Sequence, residues 1–426
     1  MKFKMLKNLL MVPIIIFMVA LTGCSKNDEN TKVDNNKAVP NTLPNTFGVS
    51  IHGELSKQDI QRMKAAHIKW VRIDLAWREI ETKKGHYNFE RYDKLNDTLK
   101  KNNLRPYYIL DYSNRLYEKR TSILTEKGRN AFSNYVKAVV QRYKNQNGVW
   151  EIWNEPNHKS YWNDQPSYKD YSLLVEKVAP LIKRYDKSGL VVAPALSGTH
   201  TEALQWLENV FKNSKAISSI DAISVHPYNN IRPETVLEDY KKLRNLIKKY
   251  SNKPLPIFSG EWGFAVNTYS ENFIIDEQKQ AEFLVRMLLL NASQNIPVSI
   301  WYDWRNDGEN PNSKEHNFGL LTNDYQPKLS YYAYANLTKL LNGYSFNKRI
   351  TSNINQNDFI FEFIDKNENK IIIFWSTNAT HSLTLSIPSG EGQFVTLYGK
   401  EKQVNWTHNQ IEFQISTTPT YLVIKK

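Results

Sequence analysis

The chain has 426 residues, of which 41% are hydrophobic and 12% are aromatic. This length fits one large domain and a smaller one, and the composition excludes a chain that is disordered throughout. The formal net charge of +13 permits an acidic polysaccharide, an anionic cell envelope or nucleic acid as a partner. Because no lysine or arginine cluster falls within a nucleic-acid-binding motif, we expect a solvated basic surface and no nucleic-acid partner.

The N-terminal residues have the pattern of an export signal. Lys2, Lys4 and Lys7 precede an apolar run, Leu9–Leu21, that is too short to span a bilayer comfortably. The run ends in Leu-Thr-Gly-Cys, which resembles the lipobox of bacterial lipoproteins, and Cys24 is the only cysteine. The resemblance implies cleavage before Cys24 and lipid attachment, with a membrane as partner only through that lipid. The alternative is an ordinary secretory signal that leaves a free thiol.

Changes in composition divide the chain into four segments. Residues 1–23 form the signal peptide, and residues 24–46 are polar, rich in asparagine and typical of a flexible tether. Residues 47–343 alternate between strand-like and helical patterns. Residues 344–426 contain short strand-like runs and no convincing helical pattern.

The third segment contains eight strand-like runs, which alternate with helical patterns. The predicted strands are Phe47–Gly53, Trp70–Trp77, Leu104–Tyr112, Val149–Asn157, Leu190–Leu196, Ala222–Tyr228, Pro256–Gly263 and Pro297–Asn306. The predicted helices include Gly128–Tyr143, Tyr168–Tyr185, Thr235–Tyr250, Gln278–Asn291 and Leu329–Leu341. Eight successive βα units predict an α/β fold, the (β/α)8 TIM barrel. A doubly wound open sheet is the alternative, but no Gly-rich phosphate loop follows any of these strands.

The last segment predicts a small antiparallel, β-sandwich-like domain. Its strand-like runs are Phe359–Phe363, Lys370–Trp375, Ser382–Ile387, Phe394–Tyr398 and Thr420–Ile424.

Two glutamates stand at predicted strand ends. Strand four ends in Trp-Asn-Glu-Pro-Asn, with Glu155 at its centre, and strand seven ends in Ser-Gly-Glu-Trp-Gly, with Glu261. In TIM barrels, catalytic groups lie at the C-terminal ends of the strands, so both carboxyls are expected at the barrel mouth. Cleavage of a glycosidic bond needs two such carboxyls, one to protonate the leaving oxygen and one to attack carbon or activate water.

These two motifs resemble those of glycoside hydrolase clan A, and most closely family 39, the family of β-xylosidases and some exopolysaccharide hydrolases. Family 5 is a near neighbour. The likeness covers roughly residues 47–341. It implies that Glu155 is the acid/base, that Glu261 is the nucleophile of a retaining mechanism, and that Asn154 binds the sugar hydroxyl beside the nucleophile. Strict strand alternation would send Asn154 and Glu155 to opposite faces, so the strand must end irregularly, for example in a bulge.

Other strand ends add substrate-binding candidates. Arg72 resembles the strand-two arginine of the clan, where a cation would favour an ionised nucleophile; the alternative is a structural ion pair with Asp74 or another barrel carboxylate. His226-Pro227-Tyr228 resembles the clan's His-x-Tyr. Tyr228 would donate a hydrogen bond to Glu261, and His226 would line the reactive subsite or be only structural.

Aromatic and histidine side chains at three further strand ends complete the predicted site. A pyranose stacks on an aromatic ring, so we expect Trp304 to form the floor of the reactive subsite, with Trp301 as the alternative. His52 and Trp77, which end strands one and two, are further subsite candidates. Packing within the barrel is the alternative for all four.

No cofactor or metal is expected, because the chain lacks a His-Glu-x-x-His motif and a cysteine pair. We expect a monomeric enzyme that cuts an extracellular or biofilm polysaccharide internally. Rings beyond the strand ends favour an open cleft: Tyr112, Tyr117, Tyr161, Trp162, Phe264 and Tyr269. The alternatives are an exo-acting β-xylosidase or β-glycosidase, a non-catalytic glycan-binding lipoprotein, and a basic envelope protein that binds anionic polymer. The sugar, its linkage and the membrane are left open.

Overall fold

The computed structural model describes residues 42–162, 165–229, 231–270, 273–352 and 354–425. The expected signal peptide, Cys24 and residues 25–41 of the expected tether lie outside the described residues. Within the described ranges, no helix combines the length and apolar character needed to cross a bilayer.

Eight parallel strands close into a barrel, and neighbours in the chain are neighbours in the barrel. The strands are β1 (Phe47–Ser50), β2 (Trp70–Ala76), β3 (Arg105–Asp111), β4 (Val149–Ile152), β5 (Leu190–Ser197), β6 (Ala222–His226), β7 (Ile257–Trp262) and β10 (Ser299–Trp301). A short hairpin, β8 (Tyr269–Ser270) and β9 (Phe273–Ile274), precedes the last barrel strand. The predicted TIM barrel is therefore confirmed. Most of the strands end earlier than predicted. The early ends of β4 and β10 matter most, because they change which of the following side chains reach the barrel mouth.

Helices connect the strands. In the described residues they are α1 (Lys57–Ala65), α2 (Trp77–Ile80), α3 (Glu90–Lys101), α4 (Glu126–Tyr143), α5 (Tyr168–Tyr185), α6 (Thr201–Asn213), α7 (Ala216–Ser219), α8 (Val236–Tyr250), α9 (Glu277–Ser293) and α10 (Leu329–Leu340). Side-chain caps fix several N-termini: Ser56 and Asp59 form a capping box at α1, and Ser167 accepts from the backbone of α5. The five predicted helices are present with closely similar bounds.

The barrel interior is apolar at its lower end and polar at its mouth. The apolar layer comprises Trp70, Tyr107, Val149, Val192, Ala222, Phe258, Val298 and Ile300. Because side chains alternate along a strand, Trp70, Arg72 and Asp74 of β2 share one face, and the two charged residues lie above this layer. The same alternation on β4 places Glu151 above Val149. The strands thus carry buried polar groups directly beneath the barrel mouth.

The C-terminal domain is an antiparallel β-structure, as predicted. Its six-stranded sheet contains, in spatial order, β11 (Ser345–Arg349), β12 (Asp358–Ile364), β13 (Lys370–Ser376), β18 (Thr420–Ile424), β15 (Gly390–Val395) and β16 (Glu401–Trp406). A two-stranded sheet, β14 (His381–Ser386) and β17 (Gln410–Ile415), completes the domain. The sequence analysis missed β11, β16 and β17.

The central strands β12 and β13 of the six-stranded sheet are buried on both faces. On β12, Phe359, Phe361 and Phe363 join the core shared with the barrel, whereas Ile360 packs towards the two-stranded sheet. Polar contacts also cross this interface: the Trp375 indole donates to Glu234, 2.8 Å away, and Glu234 is itself paired with Arg286. The two parts therefore share one continuous core.

The last five residues of the predicted tether belong to the folded part of the chain. Leu43 is buried and its amide donates to the carbonyl of Tyr344 at 2.8 Å, so residues 42–46 pack onto the folded domains. The prediction that the tether extends to residue 46 is wrong for these five residues, because an apolar leucine between polar neighbours finds a place in the core.

Candidate active site

The backbone leaves regular strand geometry just before the two predicted site residues of β4. The strand ends at Ile152, and Trp153 and Glu155 adopt positive φ angles of 71° and 45°. Such left-handed conformations are costly for residues other than glycine and are found where a site requires them. They break the alternation, so Asn154 and Glu155 both line the same cavity. The predicted irregular strand end is present.

A cavity of about 400 Å³ lies at the barrel mouth, and both predicted catalytic carboxyls line it. Glu155 reaches it from the end of β4, and Glu261 reaches it from the end of β7. One carboxylate oxygen of each lies within 4.8 Å of the other. Both side chains are largely shielded, with 11% and 14% of their surface exposed. The two groups therefore face each other across a space where a glycosidic bond can fit.

Arg72 is the central cation of the site. Its guanidinium donates to Glu261, to Glu151 at 2.7 Å and 3.1 Å, and to the side-chain amide oxygen Oδ1 of Asn154 at 2.9 Å. Burial would lower the pKa of Arg72, but the charges of Glu151 and Glu261 raise it well above its usual value. The expected contact with the nucleophile and the alternative, a structural ion pair, are both present. Glu151, which the sequence analysis missed, holds Arg72 from below.

Tyr228 fixes the other oxygen of Glu261. Its hydroxyl donates to Glu261 Oε1 at 2.9 Å, as predicted, while Arg72 contacts Oε2. The residue before Glu261 must be small, because a Cβ on Gly260 would lie 2.0 Å from the hydroxyl oxygen of Ser224. With a donor on each oxygen, the Glu261 carboxylate is held in one orientation.

His226 contacts Glu155 and does not line the cavity. It is fully buried; Nδ1 lies 2.9 Å from Glu155 Oε1, and Nε2 lies 3.3 Å from an Arg72 nitrogen. Because a guanidinium only donates hydrogen bonds, Nε2 must accept, and the proton sits on Nδ1. The expectation that His226 lines the subsite is corrected: it lies beneath Glu155 and donates to it.

The same contact shifts the pKa of Glu155. Burial raises the pKa of the Glu155 carboxyl, but the hydrogen bond from His226 and the nearby histidine and serine groups outweigh it, so the net direction is downward. A bound sugar would displace water from the cavity and thereby raise the pKa of Glu155 towards the range of a proton donor.

His52 lines the cavity, as expected of a subsite residue. Its Nδ1 lies 2.6 Å from Asp307 and 3.6 Å from Asp303. Burial would lower the pKa of His52, but the bond to Asp307 and the surrounding carboxylates raise it to about 9. The imidazolium form therefore predominates at neutral pH and leaves Nε2–H as a donor.

A second carboxyl pair lies beside Arg72 and was not predicted. Asp74 lines the cavity, and Asp111 is completely buried with no hydrogen-bond donor to either oxygen among the described residues. Burial and the charge of Asp74 raise the pKa of Asp111 well above its usual value.

Trp304 does not form the floor of the cavity. It is buried, donates its indole N–H to Asp59 at 2.9 Å and packs against Tyr331. Trp301 is also buried and donates to a backbone carbonyl. The ring from this segment that lines the cavity is Tyr302, because β10 ends at Trp301 and the next side chain points towards the site.

Trp77 is another correction. It is fully buried at the first turn of α2, stacks on Tyr117 and Tyr135, and donates to Glu81 at 2.6 Å. The Trp77 ring packs beneath the segment that contains Tyr117, outside the cavity.

The predicted loop aromatics divide between cavity and packing. Tyr112 and Tyr161 line the cavity and stack on each other at 5.9 Å. Trp162 and Phe264 are buried, Tyr117 packs on Trp77, and Tyr269 is 75% exposed on the hairpin. Two of the six rings therefore support an open cleft.

Two groups of side chains bring possible metal-ligand atoms within 4.8 Å of one another in the described part of the chain: Glu155, His226 and Glu261, and His52, Asp303 and Asp307. In the first group, Glu261 already accepts from Arg72 and Tyr228, and Glu155 accepts from His226. The oxygens of both carboxyls in this group are thus already engaged in hydrogen bonds within the protein. The absence of a metal stays a prediction.

Solved structures share this fold. A family 39 glycoside hydrolase from Bacteroides cellulosilyticus WH2 superposes with a TM-score of 0.78 at 23% identity, over 92% of this chain and 82% of that one. A monomeric beta-xylosidase from Caulobacter crescentus CB15 superposes with a TM-score of 0.64 at 14% identity, over 91% of this chain and 97% of that one. At these identities the likeness establishes the fold.

Sequence comparison extends the match to a family. A beta-xylosidase of Geobacillus stearothermophilus is 24% identical over 299 residues, which are 61% of this chain and 58% of that relative. The chain thus matches little more than half the length of that protein. The cellulase family profile, glycosyl hydrolase family 5, matches residues 30–308, about two thirds of the chain. This is the neighbour family named from the motifs. The chain therefore belongs to the cellulase family, glycosyl hydrolase family 5.

Proposed function

We propose that the protein is a retaining glycoside hydrolase that cuts a polysaccharide, with Glu155 as acid/base and Glu261 as nucleophile. The observation that carries the proposal is the separation of the two carboxylates, whose oxygens approach within 4.8 Å. Retaining enzymes hold these groups about 5–5.5 Å apart, whereas inverting enzymes need about 6.5–9.5 Å to admit a water molecule.

The contacts of each carboxyl fit its role. Glu261, ionised beside Arg72, attacks the anomeric carbon while protonated Glu155 gives its proton to the leaving oxygen. The covalent glycosyl intermediate is then hydrolysed by a water molecule that Glu155, now ionised, activates. Asn154 is held by Arg72 and by the Tyr112 hydroxyl, at 2.9 Å each, so its amide is oriented beside Glu261 for a sugar hydroxyl.

Internal cleavage is favoured by the shape of the site. The catalytic cavity continues past Tyr112 and Tyr161 into a second groove, and both rings line both spaces. A chain of several sugars can therefore extend from the catalytic pair, and an exopolysaccharide outside the cell would be such a substrate. Exo action on a terminal xylose is the second candidate, favoured by the beta-xylosidase of Geobacillus stearothermophilus. Membership of family 39 is likewise a proposal, supported by the fold of the Bacteroides enzyme.

Product sizing tests these functions. The protein, without residues 1–23, is incubated with purified plant and bacterial polysaccharides, and products are sized at early times. Mixed oligosaccharides with a rapid fall in polymer length are expected. Monosaccharide as the sole early product would instead establish exo action. Binding without any product, from every polymer and from aryl glycosides, would favour a glycan-binding lipoprotein.

We further propose that the mature protein is lipid-anchored through Cys24 on the outer side of a membrane. The proposal is supported by the lipobox-like Leu-Thr-Gly-Cys and by the position of the only cysteine. Cys24→Ser should release the protein into the medium or leave it unprocessed, because serine lacks the sulfur that carries the lipid. Cell fractionation and mass spectrometry of the N-terminus measure this outcome. Processing and membrane retention identical to the unmodified protein would exclude the anchor.

A further inference from the structure

The groove beside the catalytic cavity differs from it in charge. This basic groove has a volume of about 840 Å³ and is lined by Arg78, Arg115, Lys119 and Arg120 together with Tyr112 and Tyr161. It is built from the segments that follow β2, β3 and β4, so it lies at the same end of the barrel as Glu155. The two tyrosines connect it directly to the cavity.

Three of these cations have no carboxylate partner among the described residues. Arg78, Arg115 and Lys119 are exposed and make no ion pair there. Glu81 also lines the groove, but it is buried, and its oxygens accept from Trp77 at 2.6 Å and Tyr117 at 2.6 Å. The positive charges of Arg78, Arg115 and Lys119 are therefore available to an external anion.

The catalytic cavity, in contrast, disfavours an anion. Four carboxyl groups line it, those of Asp74, Glu155, Glu261 and Glu315, against the cations Arg72, Lys314 and His52. Arg72 is already paired from below with Glu151, so negative groups outnumber the positive charges left for a ligand. A carboxylate on the sugar between the catalytic pair would be repelled by these groups at short range. A carboxylate on a neighbouring unit in the groove would be attracted, because at contact distance it lies well within the Debye length of about 8 Å at physiological ionic strength.

We propose that the basic groove binds the acidic sugars of a mixed polysaccharide, in which carboxylate-bearing units alternate with, or branch from, the neutral sugar that occupies the catalytic cavity. The proposal rests on the proposed function for the identity of the ligand as a glycan. It predicts that a polymer made only of acidic units is a poor substrate and that a mixed polymer is a good one. The stacked tyrosines would contact the sugar faces, and the three cations the carboxylates.

Binding can be measured without turnover. The Glu261→Gln protein is titrated by calorimetry with glucuronoxylan and hyaluronan, and with the same polymers after chemical reduction of their carboxyl groups. At least one charged polymer should bind about tenfold more tightly than its reduced form. About 0.5 M sodium chloride should abolish the difference.

Two sets of substitutions assign the effect to the groove. Arg78→Gln, Arg115→Gln and Lys119→Gln together should remove the preference for the charged polymer. The control protein carries Lys64→Gln, Lys101→Gln and Lys248→Gln. These substitutions remove the same charge from exposed positions near the C-terminal ends of α1, α3 and α8, at the opposite end of the barrel. This control protein should retain the preference for the charged polymer. Thermal unfolding of each protein checks that the fold is intact.

Several outcomes would overturn the proposal. They are equal binding of charged and reduced polymers, an equal loss in the control protein, and binding of single-stranded DNA as tight as that of the best polysaccharide. The last would indicate an unspecific anion-binding surface. Because binding and hydrolysis are measured separately, a lack of products would count against the proposed function alone. The comparison of charged with reduced polymers uses no groove substitution, so it tests the proposal even if the groove variant does not fold.

Discussion

Glu261→Gln is expected to lower kcat by ~10⁴ or more on every substrate, because an amide cannot attack the anomeric carbon. Such a loss corresponds to about 5.5 kcal/mol of the activation free energy. The effect should not depend on the leaving group, since the nucleophile is needed whatever departs. The substitution leaves Glu151 as the counter-charge of Arg72, so unfolding should change little. Steady-state kinetics with dinitrophenyl glycosides measure the loss, and Glu309→Gln, an exposed carboxylate outside the cavity, serves as the matched control.

A covalent trap gives an independent assignment. A glycoside that is fluorinated beside the anomeric carbon and carries a good leaving group should accumulate as an ester, and peptide mass mapping should place that ester on Glu261. Retention above about 1% of kcat in Glu261→Gln, or an ester on another residue, would contradict the role of Glu261.

The fold was predictable because βα alternation is a local signal. Runs of apolar residues, helical periodicity and turn residues recur along residues 47–343. Each of these patterns can be recognised without knowing the tertiary structure. The glutamates followed from the same local pattern, since each stands at a predicted strand end. The strand β17 was missed although its alternation, Gln-Ile-Glu-Phe-Gln-Ile, is regular. The neighbouring β16 is largely exposed and rich in polar residues, so it carries little apolar signal.

The supporting residues were not predictable because they depend on which strands meet. Glu151 lies within predicted strand four and was given no role, yet it holds Arg72 across the barrel. Tyr302 was not considered as the cavity ring, because recognising it requires knowing that β10 ends at Trp301, three residues earlier than Trp304. Trp77 illustrates the same limit, since the chain begins α2 there and turns its ring into the core. An aromatic residue at a strand end can be buried in the core or can bind a sugar, and the sequence alone does not distinguish the two.

The hydrogen-bond donors around the two carboxyl groups differ, and this difference could not be predicted from the sequence. Glu261 has a donor on each oxygen, from Arg72 and Tyr228, so both of its oxygens are held in place. Glu155 has a donor from His226 on Oε1. Its second oxygen is therefore the one on which a transferable proton would be placed.

Glu155→Ala is expected to have an effect that depends on the leaving group. For natural glycosidic bonds, where the departing oxygen needs a proton, kcat/KM should fall by ~10²–10⁴. For dinitrophenyl glycosides, whose leaving group departs without protonation, the first step should be nearly unimpaired. Hydrolysis of the glycosyl intermediate then limits kcat, because no base activates water, and a burst of released phenol should precede a slow steady state.

Azide distinguishes the two glutamates by the geometry of its products. In Glu155→Ala, azide fills the vacated space and attacks the intermediate on Glu261, so the glycosyl azide should retain the configuration of the substrate and kcat should recover. In Glu261→Ala, azide occupies the position of the nucleophile, attacks the substrate directly and should give the inverted configuration. Nuclear magnetic resonance of the anomeric proton reports which product forms. Exchanged configurations would reverse the two roles, and uniform loss on all leaving groups in Glu155→Ala, without recovery by azide, would remove Glu155 from the acid/base role.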